Sequence, residues 1–231
     1  MMFVFSPSNM MNYRLCPRRF EGQSITKEIK WKASVAKSRG SLVHKALEEA
    51  MSDGYDSVTK WPDDLCQGYV QEQILWGREL VETMEHRLYI EKELTVSRQW
   101  AKTGWWDDDA YLRAKADMIL VPPLKYPDMP VHVVDFKTGK KWDTDDFQLR
   151  VEALLCHILF DRPVVSYAYW YVDAGETVDM TIDFRNGIQL VQDVVELMSE
   201  MDKAIANKDF PSRKNRFCKY CDFYNTPLCG L

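Results

Sequence analysis

The seven residues Val131-His-Val-Val-Asp-Phe-Lys137 constrain this chain more than any other stretch. Their β-branched and aromatic content reads as a strand. Alternate side chains of a strand share a face. Val131, Val133, Asp135 and Lys137 therefore point one way, and Val134 and Phe136 the other. An acid and an amine beside two valines predict a place where the core gives way to a cleft. Thr138-Gly139 closes the strand.

The elements around it follow from periodicity and punctuation. Ser6-Pro7-Ser8 caps a short helix that ends near Cys16-Pro17, because proline disfavours helix at the residue before it. Leu42, Val43, Ala46, Leu47 and Ala50 recur at helical spacing and predict a helix over Lys37–Met51. Pro62-Asp63-Asp64 is expected to open a second helix running to about His86. Leu88, Ile90, Leu94 and Val96 alternate with polar residues as a first strand, and Tyr111–Val121 forms a second. After the third strand come a helix over Asp143–Phe160 with Thr144 at its N-cap, a hairpin of Val164–Val172 with Thr177–Phe184, and a helix over Gly187–Asn207. That order predicts an α/β core with added helices. A chain of 231 residues with 46% hydrophobic content and no internal repeat suits one domain.

On the second strand Asp117 shares its face with Arg113 and Lys115. If the second and third strands are neighbours, Asp117 and Asp135 converge on one hard divalent cation, with Lys137 beside it. His44, on the amphipathic helix, is a candidate imidazole ligand for the same ion. Phosphodiester hydrolysis needs such a set. Carboxylate-bound Mg²⁺ or Mn²⁺ activates water and neutralises developing charge, and a nearby lysine orients that water or donates to the phosphate. The structural alternative is an ordinary ion pair at a strand end.

Cys218-x₂-Cys221-x₇-Cys229 is a metal-binding spacing that lacks a fourth ligand. Cys156 lies in an apolar run and reads as core, and Cys66 has no partner nearby. Cys16, set among Tyr13, Arg14, Arg18, Arg19 and Phe20, is the expected fourth. Thiolate-only ligation suits either Zn²⁺ or an iron–sulfur cluster. Tying residue 16 to the tail closes a loop of about 200 residues, so the metal should fasten both termini.

The net charge of −5 argues against a protein that coats nucleic acid by bulk charge. Cations nonetheless gather at the motifs: Arg14, Arg18 and Arg19; Lys137, Lys140 and Lys141; Lys208, Arg213, Lys214, Arg216 and Lys219. Tyr13, Phe20, Trp142, Phe217, Tyr220 and Phe223 interleave with them, the pattern of single-strand binding. No run is long and apolar enough to span a membrane, and no secretory signal is expected.

Taken together, these pieces resemble the PD-(D/E)xK nuclease superfamily, and within it the RecB-like and Cas4-like branch that carries an iron–sulfur cluster. Ser6-Pro-Ser-Asn-x₃-Tyr13-Arg-Leu-Cys16-Pro-Arg-Arg-Phe20 is similar to the opening motif with the first cluster cysteine. Gly40-Ser-Leu-Val-His44 looks like motif I, Asp117 in Ala-Lys-Ala-Asp-Met-Ile-Leu like motif II, and Val-Val-Asp135-Phe-Lys137 like motif III. Gln148 matches the glutamine of the following helix, with Glu152 one turn on, where many members have tyrosine. Cys218, Cys221 and Cys229 match the closing ligands.

The resemblance implies a restriction-endonuclease-like α/β fold, a mixed central sheet flanked by helices. Residues 37–207 would be the catalytic core, and 1–36 with 208–231 the cluster-binding part, in one domain. It implies Mg²⁺ or Mn²⁺ on His44, Asp117, Asp135 and the Phe136 carbonyl, Lys137 as the catalytic lysine, and Gln148 orienting it or touching substrate. Glu91 or Glu93 is a candidate outer carboxylate. It favours 4Fe–4S over zinc on Cys16, Cys218, Cys221 and Cys229. The expected activity is a DNA exonuclease on single strands or ends, with a helicase or recombination partner, in repair or recombination. The expected setting is the cytoplasm of a bacterial cell, host- or phage-encoded. Lys137-Thr-Gly-Lys-Lys141 is not a P-loop, since Val134 and Lys141 stand where glycine and Ser/Thr belong. The competing readings are a non-catalytic zinc- or cluster-bearing nucleic-acid-binding module and an adaptor subunit of a nuclease–helicase complex.

Overall fold

A computed structural model describes residues 3–28, 35–139, 145–221 and 223–229. Five strands form one mixed sheet in chain order: β1 (Arg87–Ser97), β2 (Ala110–Val121), β3 (Val131–Lys137), β4 (Val164–Tyr171) and β5 (Glu176–Asp183). All neighbours are antiparallel except β3 and β4, which run parallel. A parallel pair needs a crossover, and α5 (Phe147–Phe160) supplies it.

Helices cover both faces. α1 (Pro7–Leu15), α2 (Pro17–Phe20), α5 and α6 (Ile188–Asn207) bury one core against Val131, Val133, Val165 and Tyr167. α3 (Val35–Asp53) and α4 (Gln67–Glu82) bury a second through Val43, Leu47, Val70 and Ile74, against Val134, Phe136 and Trp170. β3 thus has apolar residues on both faces because both faces are covered. The α/β class and the helix-flanked mixed sheet agree with the sequence reading.

Two helix ends differ from expectation. α4 starts at Gln67 rather than Pro62, because Asp64 adopts a left-handed backbone (φ 68°) that interrupts any helix there. It stops at Glu82 rather than His86. Glu85 is left-handed (φ 57°) and the His86 N–H returns to the Leu80 carbonyl at 3.0 Å, a helix-closing turn. At the start of α5, Asp143 and the expected cap Thr144 lie outside the described residues, as do Lys140, Lys141 and Trp142. The described helix begins at Phe147, whose N–H donates to the Asp145 side chain at 3.1 Å.

The feature that positions the site is a parting of strands. β2 pairs with β3 over only three positions, Met118↔Val134 to Leu120↔His132. Beyond them the β1–β2 hairpin swings away, and Phe5 takes up the edge of β2 beside Leu112. The bend is visible in the packing. Leu88 and Ile90 pack in the α3/α4 core, whereas Leu94 and Val96 belong to the other. Between them Glu91 is left-handed (φ 48°), while the β1–β2 register stays unshifted from Ile90↔Met118 to Lys92↔Ala116. Sequence alternation alone put all four on one face.

His132 on β3 has its ring edge-on to Trp76, near the buried His86. Burial, followed by the neighbouring His86, holds the His132 pKa down to about 4 against an ordinary 6.5. The unfolded chain protonates this ring first as pH falls. Its contribution to stability is therefore full above 6.5 and is lost on descending toward about 4. Chemical denaturation at pH 7.5 and 5.0 should show a loss on acidification that shrinks by roughly 2 kcal/mol in His132→Gln.

Candidate active site

Where β2 and β3 part, the Phe136 N–H has no strand partner. It donates instead to Asp117 Oδ2 at 2.7 Å. The Phe136 carbonyl meets His44 Nε2 at 3.0 Å, and His44 Nδ1 stands 3.4 Å from Asp117 Oδ1. The backbone of one residue, Phe136, thus ties α3, β2 and β3 together at three of the expected site positions. The contact with Phe136 O assigns the Nε2 proton to that carbonyl, which leaves Nδ1 toward Asp117.

Asp135 and Lys137 leave β3 on the same face, as alternation requires. Asp135 is 5% exposed and Lys137 half-buried. The Lys137 ammonium stands 2.6 Å from Asp135 Oδ2 but outside hydrogen-bond geometry, so Oδ2 is buried with no hydrogen bond. Gln148 bridges the pair: its Nε2 donates to Asp135 Oδ1, and its Oε1 accepts from Lys137 Nζ at 3.4 Å. On the other side Lys137 packs over the Tyr169 ring, 4.9 Å from its centre. Tyr169 lies directly across from Asp135 in the β3–β4 ladder.

The field of this pocket favours positive charge. Burial pushes the Asp135 carboxyl up to about 6 despite the Lys137 ammonium, and Asp117 adds to the rise. For His44, burial would lower the pKa, but Asp117 and Asp135 outweigh it and raise it. A site that draws a proton onto an imidazole is suited to a cation. His44, Glu91 and Asp117 each offer one ligand atom within 4.8 Å of the others. The Glu91 carboxylate in this group also pairs with Lys115. The donor set of imidazole and carboxylates fits a hard divalent ion.

Of the expected metal ligands, His44, Asp117 and the Phe136 carbonyl gather in direct contact. Asp135 lies next to them and is engaged with Lys137 and Gln148. Glu91, a secondary candidate from the sequence, stands in the group, whereas Glu93 is exposed. Glu48 was missed. It lies one turn after His44 on α3, and burial, then the charge of Glu91, raises its carboxyl pKa. The i, i+4 spacing from His44 was the signal that could have found it.

At the other end of α1, Cys16, Cys218, Cys221 and Cys229 line one small cavity with Arg19 and Arg213. None is in a disulfide. The Arg213 N–H donates to Cys16 Sγ at 3.4 Å and the Asn215 N–H to Cys218 Sγ at 3.2 Å. Backbone donors aimed at sulfur are what a thiolate-ligated metal uses in its outer shell. Cys156 is buried in the core and Cys66 is exposed, as the sequence reading had them.

Asp117→Ala should cost about 1–3 kcal/mol, because it leaves the Phe136 N–H unpaired. Asp117→Asn retains an acceptor and should recover most of that loss. Urea unfolding of both variants measures it.

No helix among the described residues is long and apolar enough to cross a membrane. A solved structure described as SSO0001 is similar at 18% identity and a TM-score of 0.41, over 98% of this chain and 86% of that one. An alkaline exonuclease (LHK-Exo) from Laribacter hongkongensis is similar at 8% identity and a TM-score of 0.34, over 88% of this chain and 90% of that one. No curated protein matches the chain. The model of the PD-(D/E)XK nuclease superfamily matches residues 4–226. The motif residues gathered around Phe136 thus sit inside a match that spans nearly the whole sequence, and the chain belongs to that nuclease superfamily.

Proposed function

We propose that this chain is a divalent-metal-dependent DNA nuclease acting on single strands or free ends. His44, Asp117, Asp135 and the Phe136 carbonyl would hold Mg²⁺ or Mn²⁺, with Glu91 beside them. The observation that carries this reading is the backbone of Phe136, whose N–H donates to Asp117 and whose carbonyl meets His44, flanked in sequence by Asp135 and Lys137. When bound, the ion supplies a lowered water pKa and charge neutralisation on the phosphoryl oxygens.

The chain's own residues do the rest. Lys137, held by Asp135, Gln148 and the Tyr169 ring, keeps a half-buried ammonium beside the ligand group. From there it hydrogen-bonds the attacking water or a non-bridging phosphate oxygen, and opposes the charge that grows there. Gln148 orients it. Exposed Phe217 and Tyr220, each under a cation from Arg216 and Lys219, support stacking of unpaired bases. A helicase or recombination partner would deliver such strands.

We further read Cys16, Cys218, Cys221 and Cys229 as ligands of a 4Fe–4S cluster, the mark of the RecB-like and Cas4-like branch. Four sulfur donors on one cavity and two N–H···S bonds support a metal there. Zinc satisfies the same donors, so metal analysis separates the two. Protein purified without oxygen should be brown and carry iron and sulfide. A colourless product with one zinc per chain would replace the cluster and leave the nuclease reading intact.

With Mn²⁺ and end-labelled single strands, Lys137→Ala should cut at least about a hundredfold more slowly than wild type while staying folded. Chelation of the divalent ion should abolish cleavage, and circular single strands should be spared. Equal degradation by wild type and Lys137→Ala would remove the lysine from the mechanism.

A further inference from the structure

α5 aims two polar side chains at β3, Gln148 and Glu152, one turn apart on the same helix face. Around them Val151, Ala153, Leu155 and Cys156 are buried and apolar. Glu152 is 1% exposed, and its Oε2 has no hydrogen-bond partner among the described residues. A carboxyl group buried this way opposes folding, so the position needs a reason other than stability.

The reason lies in its other oxygen. Gln148 Nε2 donates to Glu152 Oε1 at 3.0 Å and also to Asp135 Oδ1. A primary amide has two donor hydrogens and one carbonyl. Here both hydrogens go to carboxyl oxygens and the carbonyl faces the Lys137 ammonium. A flipped amide would set its carbonyl against two carboxyl oxygens and its NH₂ against a cation. Asp135 and Lys137 are the groups that metal and substrate engage. Glu152 lies behind them in the core.

We propose that Glu152 is a positioning residue acting through Gln148: it locks the side-chain amide so that its carbonyl stays on Lys137 and its NH₂ on Asp135 while substrate binds. Burial, then the charge of Asp135, raises the Glu152 carboxyl pKa well above the ordinary range, which favours a neutral acceptor over a second buried anion. The inference rests on the nuclease reading, but its geometry can be tested apart from it.

Two variants and two readouts decide it. Glu152→Leu removes the acceptor at similar volume, and Glu152→Gln keeps a carbonyl acceptor. On end-labelled single strands with Mn²⁺, Glu152→Leu should lose roughly tenfold or more in kcat with KM little changed. Its melting temperature should be unchanged or higher. Glu152→Gln should retain most of kcat. In a Gln148→Ala background, adding Glu152→Leu should cost nothing further. In the ¹H–¹⁵N spectrum, the Gln148 side-chain NH₂ should exchange slowly with solvent in wild type and Glu152→Gln, and fast in Glu152→Leu.

Full kcat in Glu152→Leu would overturn the proposal, as would a loss matched by lost folding or one additive with Gln148→Ala. So would a Gln148 NH₂ equally protected in Glu152→Leu and wild type, or unprotected in wild type. If wild type failed to cleave any strand while the NH₂ signature behaved as expected, the nuclease reading would fall and the positioning role would stand.

Discussion

The hydrogen bond from the Phe136 N–H to Asp117 is the constraint on which this site depends. A backbone donor at the end of a strand pairing must find an acceptor or lose stability. By taking a side-chain carboxylate, it lets β2 leave β3 without an orphaned group, and it brings motif II to motif III. The same residue presents its carbonyl to His44. The candidate metal-ligand group and the junction of three elements therefore arise from one local solution to an unpaired strand edge.

Behind that junction the site stores electrostatic cost. Asp135 is buried with an oxygen lacking a hydrogen bond, Glu152 is buried deeper still, and Glu91 holds a left-handed backbone in mid-strand. Each opposes folding, and natural chains keep such features where function needs them. The two apolar cores on opposite faces of the sheet, built by α3 and α4 on one side and α1, α5 and α6 on the other, hold these groups in place. The four cysteines lie apart from the site, where residue 16 stands beside residues 218–229 around one cavity.

Much of the fold was legible because it is written in short-range periodicity. Period-2 alternation marked β2, β3 and the β4–β5 hairpin, and the apolar spacing of Val43, Ala46 and Leu47 marked α3. The errors sat at boundaries set by single backbone conformations. Nothing in Pro62-Asp63-Asp64 announces that Asp64 turns left-handed, so the start of α4 was misread. For the site, Asp117, Asp135 and Lys137 were legible from residue type and strand phase. The standing of Glu91 within the ligand group was not, because a left-handed residue in mid-strand leaves no local trace, and only its i, i+4 spacing from His44 marked Glu48.

By itself the amino-acid sequence determined which residues could do chemistry and which face each occupied, since strand and helix periods are properties of neighbouring residues. Only the tertiary structure decided that Gln148 spans Asp135, Lys137 and Glu152, that Tyr169 lies under the lysine, and that β1 changes core at Glu91. Those contacts join positions far apart in the chain. They are set by how the layers pack, and no local pattern carries that information.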